Sequence, residues 1–431
     1  MRDSTTAMSD LPQDVVEEVL SSVQLTSLRS VRTTCKKWNS LSKHRSFTKK
    51  HIRKSRSATK KKEFLAIMIM DSSVYLMSVG IHKDDDYNVE SSIERKAKLI
   101  SVNDADGVDI KSVFHCSGLL LCTTKDKPPR LVVWNPCRGQ TRWIETTSDH
   151  CDRPFYIGQS FALGYEKKDE NSHRSFKILR SIETILRFLD NGYTEESRSI
   201  DFEIYNFNSH SWKDITRTAE GNMRFYKCGV SLKGNTYWLA RNNTRNTSRG
   251  GCGCGARRRQ NLGEPAREIP EFFLLCFDFT TERFGPCLSL PFHTRISDSV
   301  TLSSVREEQL AVLFQRRDTL QMEIWITTTI EPEAVSWSKL SLAVDVKTLL
   351  TYARFPFINE SFFVDEEKKV VTVFSKETQM RKVAYIIGED GYFQKVDLGE
   401  SIDKNGSPLL CSYVPSSVQI KQAAPRGKHI D

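Results

Sequence analysis

Hydrophobic positions near the N-terminus repeat with the period of an α-helix. Four of them fall at i, i+3, i+4 and i+7, which places their side chains on one helix face: Val16, Val19, Leu20 and Val23. Pro12 suits the first helical turn, where an N–H would have no partner. Further apolar positions at spacings of three and four predict a second helical stretch, broken once: Leu28, Val31, Cys35 and Trp38. These residues predict a small helical module.

From Phe64 onward the pattern changes to short apolar runs separated by polar turns, which is typical of β-hairpins. VVWNPCRGQTRWI, EIYNFNSHSWKDI and LCFDFTTERFGPC repeat one scheme, an apolar strand, a polar turn and a second strand with an aromatic residue. Lys233-Gly234 supplies residues that tolerate a positive φ in such a turn. Because strand-only units repeat at several tens of residues, we expect a β-propeller of about six blades, with a large β-sandwich as the alternative.

The predicted fold class is therefore α+β in separate domains, a helical module followed by a mainly-β domain. The C-terminal stretch LLCSYVPSSVQI is expected to pair with the first strands near Phe64. Such pairing would close the ring and leave no exposed sheet edge.

The net charge of the 431-residue chain is +9, and it is concentrated in one place. Between Lys49 and Lys62 the sequence KKHIRKSRSATKKK holds eight Lys or Arg residues and no acid, which leaves +1 for the rest. We interpret residues 53–63 as a solvated basic linker. Two basic clusters in this run also resemble a bipartite nuclear-import signal. Nucleic-acid binding is disfavoured, because no aromatic residues are interleaved for base stacking.

Secretion and membrane insertion are not indicated. We find no apolar signal segment and no apolar run close to the ~20 residues that span a bilayer. Eleven cysteines at irregular spacing favour reduced thiols, so we expect a soluble protein of the nucleus or cytoplasm or both.

Candidate catalytic chemistry is weak in this sequence. Cys252 and Cys254 form a CxC pair without a second ligand pair nearby in sequence. The adjacent His115 and Cys116 would point to opposite faces of a strand and could not act as base and nucleophile. We therefore expect no catalytic residue, no metal site and no cofactor.

The helical module carries a recognisable motif. LPQDVVEEVLSSVQLTSLRSVRTTCKKWNSL has an opening Leu-Pro, an acidic first helix, a Ser-Leu pair and a Cys-Lys-x-Trp ending, and it resembles the F-box. That resemblance implies binding to the Skp-family adaptor of cullin-based SCF ubiquitin ligases. The residues that it assigns to forming or supporting the adaptor surface are Leu11, Pro12, Val16, Val19, Leu20, Leu25, Leu28, Val31 and Trp38.

The β domain carries a second resemblance. GLLLCTT, RLVVWNP, GQTRWI and SYVPSSVQI resemble the plant F-box-associated interaction domain, which is kelch-related, although the kelch Gly-Gly doublets are missing. The implied organisation is a disordered N-terminus at 1–8, an F-box at 9–52, the linker at 53–63, the F-box-associated domain at 64–420 and a disordered tail at 421–431.

Together the two resemblances imply a substrate receptor of an SCF ubiquitin ligase without an active site of its own. The F-box would hold the adaptor and, through it, cullin, and the β domain would hold an unknown client protein. Two other classes stay open at this point. One is a propeller enzyme acting on a sugar or small carbonyl compound with a degenerate F-box, and the other is a basic nuclear protein that binds nucleic acid.

Overall fold

A computed structural model describes residues 12–420 except 24–26, 59–62, 84–88, 100–107, 147–155, 167–173, 191–192, 216–222, 226–228, 243–271, 296, 320, 342–360, 379, 389–391 and 402–408. The stretches expected to be disordered, 1–8 and 421–431, lie outside the described residues.

The described part of the helical module has four helices, namely α1 (Gln13–Leu20), α2 (Leu28–Thr34), α3 (Lys36–Lys43) and α4 (Arg45–Ala58). Pro12 precedes α1 with an extended ψ of 146°, as expected for a residue at a helix start. Cys35 interrupts the second predicted stretch with φ −158° and ψ 162°, and its Sγ accepts the Trp38 N–H. The predicted single break is therefore confirmed.

The structure corrects the start of the predicted linker, because residues 53–58 belong to α4. Tertiary contacts hold this basic helix on the module. Lys50 and Lys54 both pair with the Glu18 carboxylate of α1, and His51 Nε2 lies 2.6 Å from the Val23 carbonyl oxygen. The helix is thus stabilised by residues about thirty positions earlier in the chain. The composition of the basic run alone cannot indicate such contacts.

The β domain consists of six antiparallel sheets, one per blade. Blade 1 holds β1 (Glu63–Met70), β2 (Ser73–Lys83), β3 (Val89–Leu99) and the last strand, β26 (Leu409–Ser412). Blade 2 holds β4 (Ile110–Cys116), β5 (Leu119–Thr124), β6 (Leu131–Asn135) and β7 (Gln140–Ile144). Blade 3 holds β8 (Tyr156–Glu166), β9 (Ser175–Asp190), β10 (Tyr193–Asn206) and β11 (Ser211–Ile215).

The remaining three blades follow in chain order. Blade 4 holds β12 (Met223–Phe225), β13 (Val230–Leu232), β14 (Asn235–Asn242), β15 (Phe272–Asp278), β16 (Arg283–Phe284) and β17 (Leu288–Ser289). Blade 5 holds β18 (Ser299–Val305), β19 (Gln309–Gln315), β20 (Met322–Glu331) and β21 (Ala334–Leu340). Blade 6 holds β22 (Ser361–Asp365), β23 (Val370–Lys376), β24 (Arg381–Gly388) and β25 (Phe393–Glu400).

The ring closes as the sequence predicts. The C-terminal strand β26 pairs with β1, with Ala66 opposite Ser412 and Ile69 opposite Leu409. Beyond β26, Asn135 Nδ2 donates to the carbonyl oxygens of Ser416 and Val418, at 3.1 and 2.7 Å. The fold is a six-bladed β-propeller, and the sandwich alternative is rejected.

Each blade packs between two neighbours, which explains the near-continuous apolar runs of its middle strands. Every residue of β5 is buried, and so are six of the seven residues of β15. The cluster that contains Leu131 and Ile178 joins blades 2 and 3, and the cluster that contains Val312 and Leu274 joins blades 4 and 5. The hydrophobic core is therefore a ring of interfaces between blades.

Successive strands run antiparallel, so the turns alternate between the two faces of the disc. We call one side the near face, and its turns include Ser117-Gly118, 136–139, Lys233-Gly234 and 306–308. The opposite side is the far face, which carries the β5–β6, β19–β20 and β23–β24 connections. Lys233 and Gly234 have φ of 50° and 89°, as the predicted turn requires.

Candidate functional site

Two valines of α1 stand out on the surface of the helical module. Val15 is 40% exposed and Val19 is 43% exposed. In the described part of the chain only one other large hydrophobic residue, Met380, is comparably exposed, at 42%. Since Val15 and Val19 are four positions apart on one helix, their side chains lie on the same face and form a small apolar patch. We call these two residues the α1 patch.

The structure divides the nine predicted adaptor residues into groups. Val19 belongs to the α1 patch, and Pro12 is exposed just before α1. Four others lie in the core of the module: Val16, Leu20, Leu28 and Val31. Trp38 is partly buried and packs against that core. Leu11 and Leu25 lie outside the described residues.

The core residues can only support a binding surface, because they are not available to a partner. Sequence reasoning missed Val15, although it lies four positions before the predicted Val19. The helical spacing includes Val16 and omits Val15, whereas in the structure Val16 is only 1% exposed. Two adjacent valines give the same local signal, and only packing decides which one faces the core.

Arg32 of α2 fixes the helical module on the near face of the propeller. Its guanidinium donates to the carbonyl oxygens of Pro136, at 3.4 Å, and Cys137, and its Nε lies 3.3 Å from Ser42 Oγ. Burial lowers the pKa of Arg32 to about 10. A Cβ on Gly139 would lie 2.7 Å from Arg32 Nη1, so glycine leaves the space that the guanidinium occupies.

The far face is the side of the propeller away from these contacts. From its edge the paired part of β9 and β10 extends beyond the end of β8. The β8 strand stops pairing with β9 at Thr184, whereas β9 and β10 stay paired from Ile185 opposite Arg198 to Asp190 opposite Tyr193. Met380 lies in the β23–β24 connection on the same face. The far face therefore offers a projecting hairpin and one exposed apolar side chain.

The residues with catalytic potential are buried in the propeller and held neutral. Burial lowers the pKa of His115 to about 3, and its Nε2 accepts the Gly118 N–H at 2.9 Å. Burial also raises the pKa of the Cys116 thiol to about 12. An imidazole of such low basicity cannot efficiently take the proton of so weakly acidic a thiol, so the two groups are unsuited to act as base and nucleophile.

The structure also bears on two further possibilities, a metal site and a membrane-spanning helix. Cys252 and Cys254 lie outside the described residues. Within the described ranges, no three His, Cys, Asp or Glu side chains come together as a metal site would need. Of the helices that the structure describes, none combines the length and apolar character required to cross a membrane.

Comparisons with known proteins match both parts of the chain. Residues 65–420 match the family model of the F-box associated beta propeller domain, and residues 8–50 match that of the F-box domain. An F-box/kelch-repeat protein of Arabidopsis thaliana is 50% identical over 424 residues, covering 96% of this chain and 99% of the relative. An F-box protein of the same plant is 50% identical over 428 residues, covering 96% and 100%.

Solved structures add little to this result. The crystal structure of Porphyromonas gingivalis dipeptidyl peptidase 4 aligns with 76% of this chain and 43% of its own, at 10% identity and a TM-score of 0.31. A likeness this weak carries no argument about function.

Proposed function

The chain belongs to the F-box proteins that carry an F-box-associated β-propeller, and we propose that it is the substrate-recognition subunit of an SCF-type ubiquitin ligase. In this role the helical module binds a Skp-family adaptor and, through it, cullin. The propeller binds a client protein and brings it close to the ubiquitin-charged enzyme. Proximity of this kind raises the rate of transfer without catalytic residues in the receptor.

The observation that carries the proposal is the α1 patch. An exposed apolar pair on one helix face gains free energy when a partner covers it. Glu18, next to Val19 on α1, and its two lysines place charged groups beside the patch, and protein interfaces commonly have charged groups next to their apolar centre. Arg32 holds the rest of the module on the propeller, which leaves the α1 side free for the adaptor.

We propose that the client protein binds to the far face of the propeller. The near face is partly covered by the helical module, whereas the far face carries the projecting β9–β10 hairpin and Met380. Recognition by loops and hairpins on a rigid scaffold is common in binding proteins. We propose the nucleus, the cytoplasm or both as the site of action, because the basic run resembles an import signal.

The test compares exposed apolar residues on the two parts of the protein. The full chain, the Val15→Ser/Val19→Ser variant and the Met380→Ser variant are mixed with a Skp-family adaptor and cullin and captured through the adaptor. Wild type and Met380→Ser should be recovered, and the α1 variant should be lost. Equal recovery of all three proteins would reject the proposed adaptor surface.

Two rival classes make different predictions for the same purified protein. A propeller enzyme would turn over a sugar or carbonyl substrate, and a nucleic-acid-binding protein would bind oligonucleotides with a steep dependence on salt. Lys50 and Lys54 of the basic run are paired with Glu18 within the module, which leaves fewer of its cations for a nucleic acid.

A further inference from the structure

A pocket of about 500 Å³ lies between α4 and the near face of the propeller. Helix α4 contributes Lys49, Ile52 and Arg53, which are spaced so that they share one helix face. The propeller contributes residues from the turns around its axis, among them Ser117 and Lys233. The volume falls within the range of small-molecule sites, roughly 300–1,000 Å³.

The charge of the pocket is one-sided. Among the residues that the structure describes, four cationic side chains line it, Lys49, Arg53, Arg174 and Lys233, against a single carboxylate, that of Glu307. In the described part of the chain, none of the four cations has an ion-pair partner within 4.0 Å. The described lining of this concave site therefore carries an excess of three positive charges.

The neighbouring lysines of α4 show that the lack of ion-pair partners is not a general property of the basic run. Lys50 and Lys54 point to α1 and both pair with Glu18. Lys49 and Arg53 each precede one of these lysines by one residue, and they line the pocket instead. The positive charges of α4 that face α1 are thus neutralised by Glu18. Those that face the pocket have no such partner among the described residues.

We infer that this pocket binds a small molecule that carries two or more phosphate groups. A phosphate monoester bears about −1.5 to −2 charges at neutral pH, so two such groups match the excess of three positive charges. Arginine presents a planar fork of donors that suits phosphate oxygens, and Arg174 is held over the Tyr165 ring at 4.6 Å. The hydroxyls of Ser117 and Ser231 add neutral donors to the same pocket.

Such a ligand would contact both domains at once, because the four cations are divided between α4 and the propeller. This inference does not rest on adaptor binding, which concerns the opposite side of the module. Ligand binding and adaptor capture can therefore succeed or fail independently.

The test uses tripolyphosphate as the probe, with binding to the full chain followed by isothermal titration calorimetry. We expect Lys49→Gln/Arg53→Gln to weaken binding by at least about tenfold. Lys36→Gln/Lys37→Gln removes the same charge from exposed positions of α3, away from the pocket, and should bind like wild type. Both pairs are exposed, so neither change threatens the fold.

A variant on the propeller side supplies an independent check. Lys233→Asn should also weaken binding of the probe, and asparagine tolerates the φ of 50° at this position. If Lys36→Gln/Lys37→Gln weakened tripolyphosphate binding as much as Lys49→Gln/Arg53→Gln, the binding would be non-specific charge attraction, and the proposed site would be rejected. Failure of the wild type to bind the probe would do the same. Citrate binding as tight as tripolyphosphate would overturn the assignment to phosphate.

Discussion

The helical module and the propeller bury apolar surface to different degrees. The described part of the module has a core of six buried residues and still leaves Val15 and Val19 exposed. In the propeller every blade has two neighbours and β26 closes the ring, so that Met380 is the one strongly exposed large hydrophobic residue in the described part of that domain. The comparison teaches that the propeller completes its own core, whereas the module keeps an apolar pair on its surface.

The largest effect should come from the propeller core. Phe374 is fully buried and packs with Phe363 and Ala384 between blades 6 and 1. Phe374→Ala should lower the free energy of unfolding by about 3–5 kcal/mol, through lost transfer energy and the cavity left behind. Chemical denaturation measures this loss. Met380→Ala serves as the control, and a loss of the same size there would contradict the distinction between core and surface.

A pH effect should follow from His115 in the same domain. Its pKa is about 3 in the folded protein and 6.5 when unperturbed, so the unfolded chain binds more protons between these values. Stability from the neutral imidazole is fully present above pH 6.5 and is lost as pH falls. The loss amounts to about 2 kcal/mol at pH 5.

Denaturation of wild type and His115→Gln at pH 7.5 and pH 5 measures this contribution. Glutamine does not titrate and offers an oxygen that can accept the Gly118 N–H. The variant should therefore lose less stability than wild type between the two pH values. Identical losses in the two proteins would show that His115 is not the group that titrates.

A smaller effect is expected where the module meets the propeller. Arg32→Met keeps most of the side-chain volume but leaves the carbonyl oxygens of Pro136 and Cys137 without this donor. We expect a loss of about 1–2 kcal/mol, concentrated in the module. Hydrogen exchange should show faster exchange in α2 and α3 and unchanged protection in the blades. Lys36→Met, at an exposed position of α3, should change neither.

The sequence predicted the features that depend on local periodicity. The 3.6-residue repeat gave α1, the break at Cys35 interrupted the second stretch, and the hairpin pattern gave a closed propeller of six blades. The basic composition of residues 53–58 predicts a linker. The structure has a helix there, because Glu18 and Val23 contact α4, and these residues are too far away in sequence for a local pattern to include them.

The phosphate pocket could not be predicted for a similar reason. Its cations come from α4 and from separate turns of blades 3 and 4, and no sequence window contains them together. The distinction between Val15 and Val16 was also out of reach, since adjacent valines carry the same local propensity and differ only in what they contact.

The smallest effect on stability is expected at the α1 patch, and the buried face of the same helix supplies a direct comparison. Val15→Ser/Val19→Ser removes apolar groups that are already solvated, and each change should alter the free energy of unfolding by no more than about 0.5 kcal/mol. Val16→Ala truncates a residue that is 1% exposed and should cost about 2 kcal/mol.

Adaptor binding should follow the opposite order, because binding requires the exposed residues and folding requires the buried one. The serine variant should be nearly as stable as wild type and fail to bind the adaptor, whereas Val16→Ala should be less stable and still bind at low temperature, where the module remains folded. If the serine variant instead lost stability to the same extent as Val16→Ala, the α1 patch would be part of the folded core and could not be the proposed adaptor surface.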